Sequence, residues 1–124
     1  MEVALVLPLL LCAVIGVIEL GRAFSYSVTL QNAAREGAAY AARSLTATDA
    51  AVTQRVCDAT GWGESGQCPG LVVVVTRDGA DSASVAAEYA LHPITALFTR
   101  STGLDPMQLR SSAAFPITRT PVNP

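Results

Sequence analysis

The chain has 124 residues, of which 51% are hydrophobic and 15% charged, with a formal net charge of -2. That length leaves room for one small domain beside an apolar helix, and too little for a large buried catalytic cleft. All eight basic residues are arginine, spread singly along the chain, so no basic patch points to nucleic acid.

The chain opens on Glu2, a carboxylate at the mouth of an uninterrupted apolar run from Val3 to Ile18 (VALVLPLLLCAVIGVI). A charge at the edge of hydrocarbon is costly unless it lies at an interface or finds a partner. Sixteen residues in a helix rise roughly 24 Å, somewhat short of the roughly 30 Å hydrocarbon core of a bilayer, and extension through Phe24 covers the difference. The run lacks the basic n-region and the small-residue cleavage site of a secretory signal. Pro8 removes a backbone donor and Gly16 lowers helix propensity, so a kink or melted stretch is one expectation. The plainer one is that both residues are ordinary in membrane helices. Gly16 and Gly21 would let a neighbouring helix approach closely, although their spacing is not GxxxG.

Helix formers continue without proline from Ala23 to Ala42. Leu20, Phe24 and Val28 recur every four residues and then give way to Ala33, Ala34, Gly37, Ala38, Ala41 and Ala42, a small-residue face suited to close packing. Glu19 and Arg22, three apart, can pair on one helix face near the membrane boundary, and Arg35 can reach a neighbouring helix. An exposed pair of this kind contributes only about 0.3 to 0.5 kcal/mol, so these residues matter chiefly where packing between subunits buries them.

The segments EVALVLPLLL and IELGRAFSYSVTLQNAAREGAAYAAR closely resemble the N-terminal signature of TadE-like proteins, pilin-like subunits of tight-adherence type IV pili. The resemblance covers about residues 2 to 43, and its most specific part is LQNAAREGA. It implies a leader removed by a prepilin peptidase, residence in the inner membrane, and extraction by an ATP-driven pilus assembly platform into a helical homopolymer at the cell surface. Glu2 matches the acidic residue near the mature N-terminus of pilins, although only Met1 precedes it here where such pilins carry a few residues. In a staggered stack the Glu2 carboxylate would meet a neighbour's N-terminal ammonium or cap free helix amides. The residues expected in assembly are therefore Glu2, Pro8, Gly16, Glu19, Arg22, Phe24 and Arg35.

Beyond the helix, Thr48 is the expected N-cap of a short helix from Asp49 to about Ala59, with Gly61 as terminator. Cys57 and Cys68 flank a Gly-rich loop (DATGWGESGQ), and a disulfide between them would suit a domain outside the reducing cytosol. A metal site lacks a CxxC pair and has only His92 to draw on; Cys12 reads as a small buried hydrophobe. Trp62, inside the loop, is either an exposed surface contact or a plug folded over the small core. Leu71 to Thr76 (LVVVVT) reads as a strand followed by a turn at Arg77, Asp78 and Gly79. Ser84 to Leu91 alternates as a second strand, Ile94 to Thr99 reads as a short apolar helix or loop, and Met107 to Phe115 as a third strand. The tail from Pro116 to Pro124 should be extended.

The expected architecture is α+β: a membrane or filament-core helix over residues 1–46, and a globular domain over 47–124 with a short helix and a three-stranded antiparallel sheet. Neither a nucleophile motif nor a phosphate loop appears, so no enzyme and no cofactor is expected. The function expected is a structural pilus subunit used in surface attachment. The alternative is a monomeric membrane-anchored module that binds a partner outside the cell.

Overall fold

The computed structural model describes residues 2–63, 67–79, 81–94, 100, 103 and 106–117, with Glu2 described by its backbone alone. The chain order is α1 (Glu2–Arg43), α2 (Asp49–Thr60), β1 (Leu71–Asp78), β2 (Ser82–Leu91) and β3 (Met107–Pro116). This is the α+β arrangement expected from the sequence.

Helix α1 runs for 42 residues without interruption, so Pro8 is accommodated inside it. At 1.5 Å per residue it extends about 63 Å. Its two ends differ in their surroundings. From Val3 to Ile15 every side chain is exposed, Leu5 to 79%, whereas from Glu19 onward one side of the helix is covered. The covered positions are Glu19, Arg22, Ala23, Tyr26, Thr29, Leu30, Ala33, Ala34, Gly37, Ala38 and Ala41, a stripe at steps of three and four that widens at its end to take in Ala39, Tyr40 and Ala42.

Small residues on that stripe let the other elements come close. A Cβ at Gly37 would lie in severe overlap with the Val56 side chain, so α2 crosses α1 at a point where only glycine fits. Helix α2 is fixed at both ends: the Thr48 side chain accepts from the Ala51 N–H (3.3 Å), and Gly61, at φ 67°, closes the C-terminus with its N–H to the Asp58 carbonyl.

The sheet has the order β1-β2-β3, antiparallel throughout, with Val85 paired to Val75 on one side and Ala113 on the other. Alternation places Ala83, Val85, Ala87 and Leu91 of the central strand against the helices. Ala83, Val85 and Ala87 form the core with Leu30, Val52, Val56, Ile117 and the alanines of the α1 stripe, and Leu91 is buried at its edge. Burying each of the larger aliphatic side chains contributes roughly 1.5 to 3 kcal/mol. The outer face carries Val72, Glu88 and Arg110 in one row, with Arg110 and Glu88 paired at 3.1 Å.

Strand β1 runs two residues past its expected end at Thr76, into the expected turn. Arg77, read from sequence as a turn residue, instead binds the Asp49 carboxylate and the Ala47 carbonyl (2.7 Å), which holds the last residues of β1 against the start of α2. The turn falls on Gly79, at φ 55°. Apart from Ile94, the segment expected as a short apolar helix or loop lies outside the described residues, as does the tail beyond Ile117.

Candidate functional site

The exposed apolar half of α1 is the part of the molecule that most needs a partner. Isolated surface leucines are unremarkable, but a contiguous apolar surface larger than a few hundred Å² marks an interaction site. Here Leu5, Leu7, Leu9, Leu10, Leu11 and Ile15 are all exposed, along with the valines between them. Helix α1 is long and apolar enough to cross a membrane, by length and composition. Cys12, expected as a buried hydrophobe, is a free and exposed cysteine on this surface. The correction is physical: in a lone chain nothing packs around residue 12.

Where the exposed half meets the covered half, the sequence-derived residues separate. Glu19 is buried, at 8% exposure, and its partners lie within its own chain. One carboxylate oxygen accepts from Arg22 Nη1 at 3.1 Å, and the other from the backbone N–H of Ile94 at 2.8 Å. A buried carboxylate is tolerable when both oxygens are satisfied in this way. The Glu19 to Ile94 bond joins positions 75 residues apart, tying the chain beyond β2 to the helix.

Arg22 carries the connection further. Its guanidinium carbon lies 5.8 Å from the centre of the Tyr26 ring. Tyr26 stacks on Tyr89 of β2 (centroids 5.6 Å apart), and Trp62 contacts both, at 4.8 and 4.7 Å. Trp62 is therefore half-buried against the core. Behind it, Cys57 and Cys68 are joined in a disulfide with Cα atoms 5.8 Å apart. A Cβ at Gly63 would come within 2.9 Å of both sulfurs, so the loop passes directly over the bridge. Thr60 Oγ1 donates to the Cys57 carbonyl (2.7 Å) and accepts from the Trp62 N–H (3.3 Å), fixing the tryptophan's approach.

Phe24 and Arg35 are exposed, and among the described residues Arg35 makes no ion pair. A Cβ at Gly16 or Gly21 would meet nothing within 4 Å, leaving both open to a neighbour. Glu2 opens α1, and its side chain lies outside what the structure describes. Beside Glu19, a groove of about 290 Å³ separates the helix from the end of the sheet, lined by Gly16, Leu20, Ala23, Leu91, Pro93 and Met107.

An exposed apolar helix that becomes the spine of a small extramembrane sheet is the arrangement a membrane-anchored subunit requires. Residues 1–39 match the family model described as TadE-like protein. The match takes in the exposed half of α1 and most of the covered stripe, and it leaves α2 and the sheet outside. No curated protein and no solved structure gives a significant match. The TadE-like match and the apolar helix together fit a pilin-like, membrane-anchored subunit, and suggest a structural rather than an enzymatic protein.

Sequence reasoning placed Glu19 and Arg22 in a helix pair, and the pair is present. It missed Ile94 and Tyr26, and it read Arg77 as a turn residue. The alternation of β2 put Tyr89 on the inner face, but nothing local to Tyr26 or Trp62 told that they would meet it.

Proposed function

We infer that this chain is a structural subunit that polymerises through α1 into a type IV, Tad-like filament at the cell surface, used for attachment. Before assembly it resides in the inner membrane, where a prepilin peptidase and an assembly platform act on it. The observation that carries this reading is the abrupt change along one continuous helix, from all-round exposure before Gly16 to one-sided packing from Glu19 onward. A span that only anchored the domain would need nothing more than lipid around it. A TadE-like sequence on that same stretch supports a second partner, the helices of other copies.

Glu2, Pro8, Gly16, Phe24 and Arg35 are given to contacts between copies, together with Glu19 and Arg22, which also pair within the subunit. In the filament, the Glu2 carboxylate offsets its desolvation against a neighbour's N-terminal charge or free helix amides. Glu2→Ala should therefore lower filament yield while the subunit remains in the membrane fraction. The test is electron microscopy and mass spectrometry of material sheared from cells that express the chain. Filaments containing this chain are expected. Its confinement to the membrane fraction would favour a monomeric anchored module instead, and wild-type filament yield from Glu2→Ala would remove the role given to Glu2.

A further inference from the structure

The chain just beyond β2 lies at an unusual depth for part of an extramembrane domain. The groove beside the covered stripe reaches back to Gly16, inside the apolar run and not beyond it. Ile94 donates its backbone N–H to Glu19 at 2.8 Å. Side chains of a helix lean toward its N-terminus, so the bond holds Ile94 at the level of Glu19 or deeper. From Glu2 to Glu19 the helix rises about 25 Å, against a hydrocarbon thickness of roughly 30 Å. If the run spans a bilayer, Ile94 stands at the hydrocarbon border.

Its chemistry suits that position. The Ile94 side chain is 69% exposed and Leu20, one residue beyond Glu19 on the helix, is 73% exposed. Between them lies the apolar groove that Gly16, Leu20, Leu91, Pro93 and Met107 help to line. Facing water, these groups incur the full hydrophobic cost; facing acyl chains, they do not. The carboxylate at this depth is neutralised by Arg22 and capped by the Ile94 N–H, as a charge at a membrane boundary requires.

We propose that the end of the globular part carrying Pro93 and Ile94 is seated in the interfacial layer of the bilayer, so that the membrane-inserted subunit touches lipid both along α1 and at this second point. Lipid is the occupant because the groove is continuous with the surface of the spanning helix and shares Gly16 and Leu20 with it. The seat holds the domain at a fixed tilt and height, and it must be broken when the subunit leaves the membrane. The proposal rests on the membrane-anchored reading above.

The test separates the two. Full-length Cys12→Ser protein carrying Leu9→Cys, Ile94→Cys or Val74→Cys is labelled with a small environment-sensitive fluorophore. It is then reconstituted in vesicles of equal parts phosphatidylcholine and phosphatidylglycerol, with or without a mixture of phosphatidylcholines bearing a nitroxide near the carbonyl end and at mid-chain. All three positions are exposed, so labelling leaves the core intact. Nitroxide quenching at Ile94 is expected within about twofold of that at Leu9, with little at Val74, given an interfacial layer of roughly 5 to 10 Å. Quenching at Leu9 but not at Ile94 overturns the proposal and leaves the anchor standing, whether water or a second copy covers the site. Equal quenching at Val74 overturns the confinement to this end. Absence of quenching at Leu9 overturns the anchor, and the seat with it.

Discussion

Glu19 is the residue on which the junction between the two halves of the helix depends. Its carboxylate satisfies a guanidinium and a backbone amide at once, and hydrogen bonds that involve a charged group contribute roughly 1.5 to 3 kcal/mol each. Removing it strands both donors. Glu19→Ala should therefore lower stability by about 3 kcal/mol, the low end of the usual cost of breaking a buried pair because Arg22 is partly exposed. Thermal unfolding in detergent would measure this, and hydrogen exchange should show the Ile94 amide losing protection. Glu19→Gln, which keeps an acceptor for Ile94 but loses the charge opposite Arg22, should fall between the two. An unchanged melting temperature and unchanged exchange in Glu19→Ala would show that the junction is held by packing alone. In sequence, Glu19 was visible as half of a helix pair because Arg22 is three residues away. Its other partner was not, since a hydrogen bond across 75 residues leaves no local trace.

Among the elements, α1 uses its glycines in two opposite ways. At Gly37 a Cβ would overlap the Val56 side chain, while at Gly21 it would meet nothing within 4 Å. Replacing glycine by alanine in a helix gains up to about 1 kcal/mol of propensity, and overpacking costs about 1 to 3 kcal/mol. The two effects predict opposite signs. Gly37→Ala should destabilise the subunit, and Gly21→Ala should leave it unchanged or slightly more stable. Denaturant unfolding of the two variants checks this directly. A loss of filament yield in Gly21→Ala at normal subunit stability would then mark Gly21 as a contact between copies.

The same distinction between local and distant causes explains which elements the sequence revealed. Thr48 and Gly61 bounded α2 because capping is decided within a few residues, and LVVVVT announced β1 by composition. The true end of β1 was hidden, because Arg77 is drawn into the strand by Asp49 and Ala47, which are 28 and 30 residues earlier. Trp62 likewise had two readings from sequence. Its seat against the stacked Tyr26 and Tyr89 exists only after α1 and β2 have come together.

For the molecule as a whole, stability draws on a small core and one covalent bridge. Among the described residues the fully buried apolar side chains are little more than valine and alanine, with Leu30 the largest. The disulfide between Cys57 and Cys68, at a separation of 11 residues, should contribute about 2 to 3 kcal/mol, close to what loop-closure entropy gives for a loop of that length. Reduction, or the double change Cys57→Ser and Cys68→Ser, should lower the melting temperature and increase the mobility of Trp62, whose fluorescence anisotropy reports it. An unaltered melting temperature after verified reduction would mean that the aromatic cluster suffices to hold the loop.

One consequence follows from α1 being unbroken through Pro8 and through the junction at Glu19. Each residue turns a helix by about 100° and advances it about 1.5 Å, so the bearing of every lipid-facing side chain relative to the sheet is set by counting residues alone. The helix is in this sense a mechanical phase reference. A single inserted residue between Ile15 and Leu20 would swing the sheet around the axis by more than a quarter turn, whereas seven residues, almost two whole turns, would raise it with its heading nearly preserved. Any lattice built from such rods inherits its angular order from that count, written in the chain before a second copy is met.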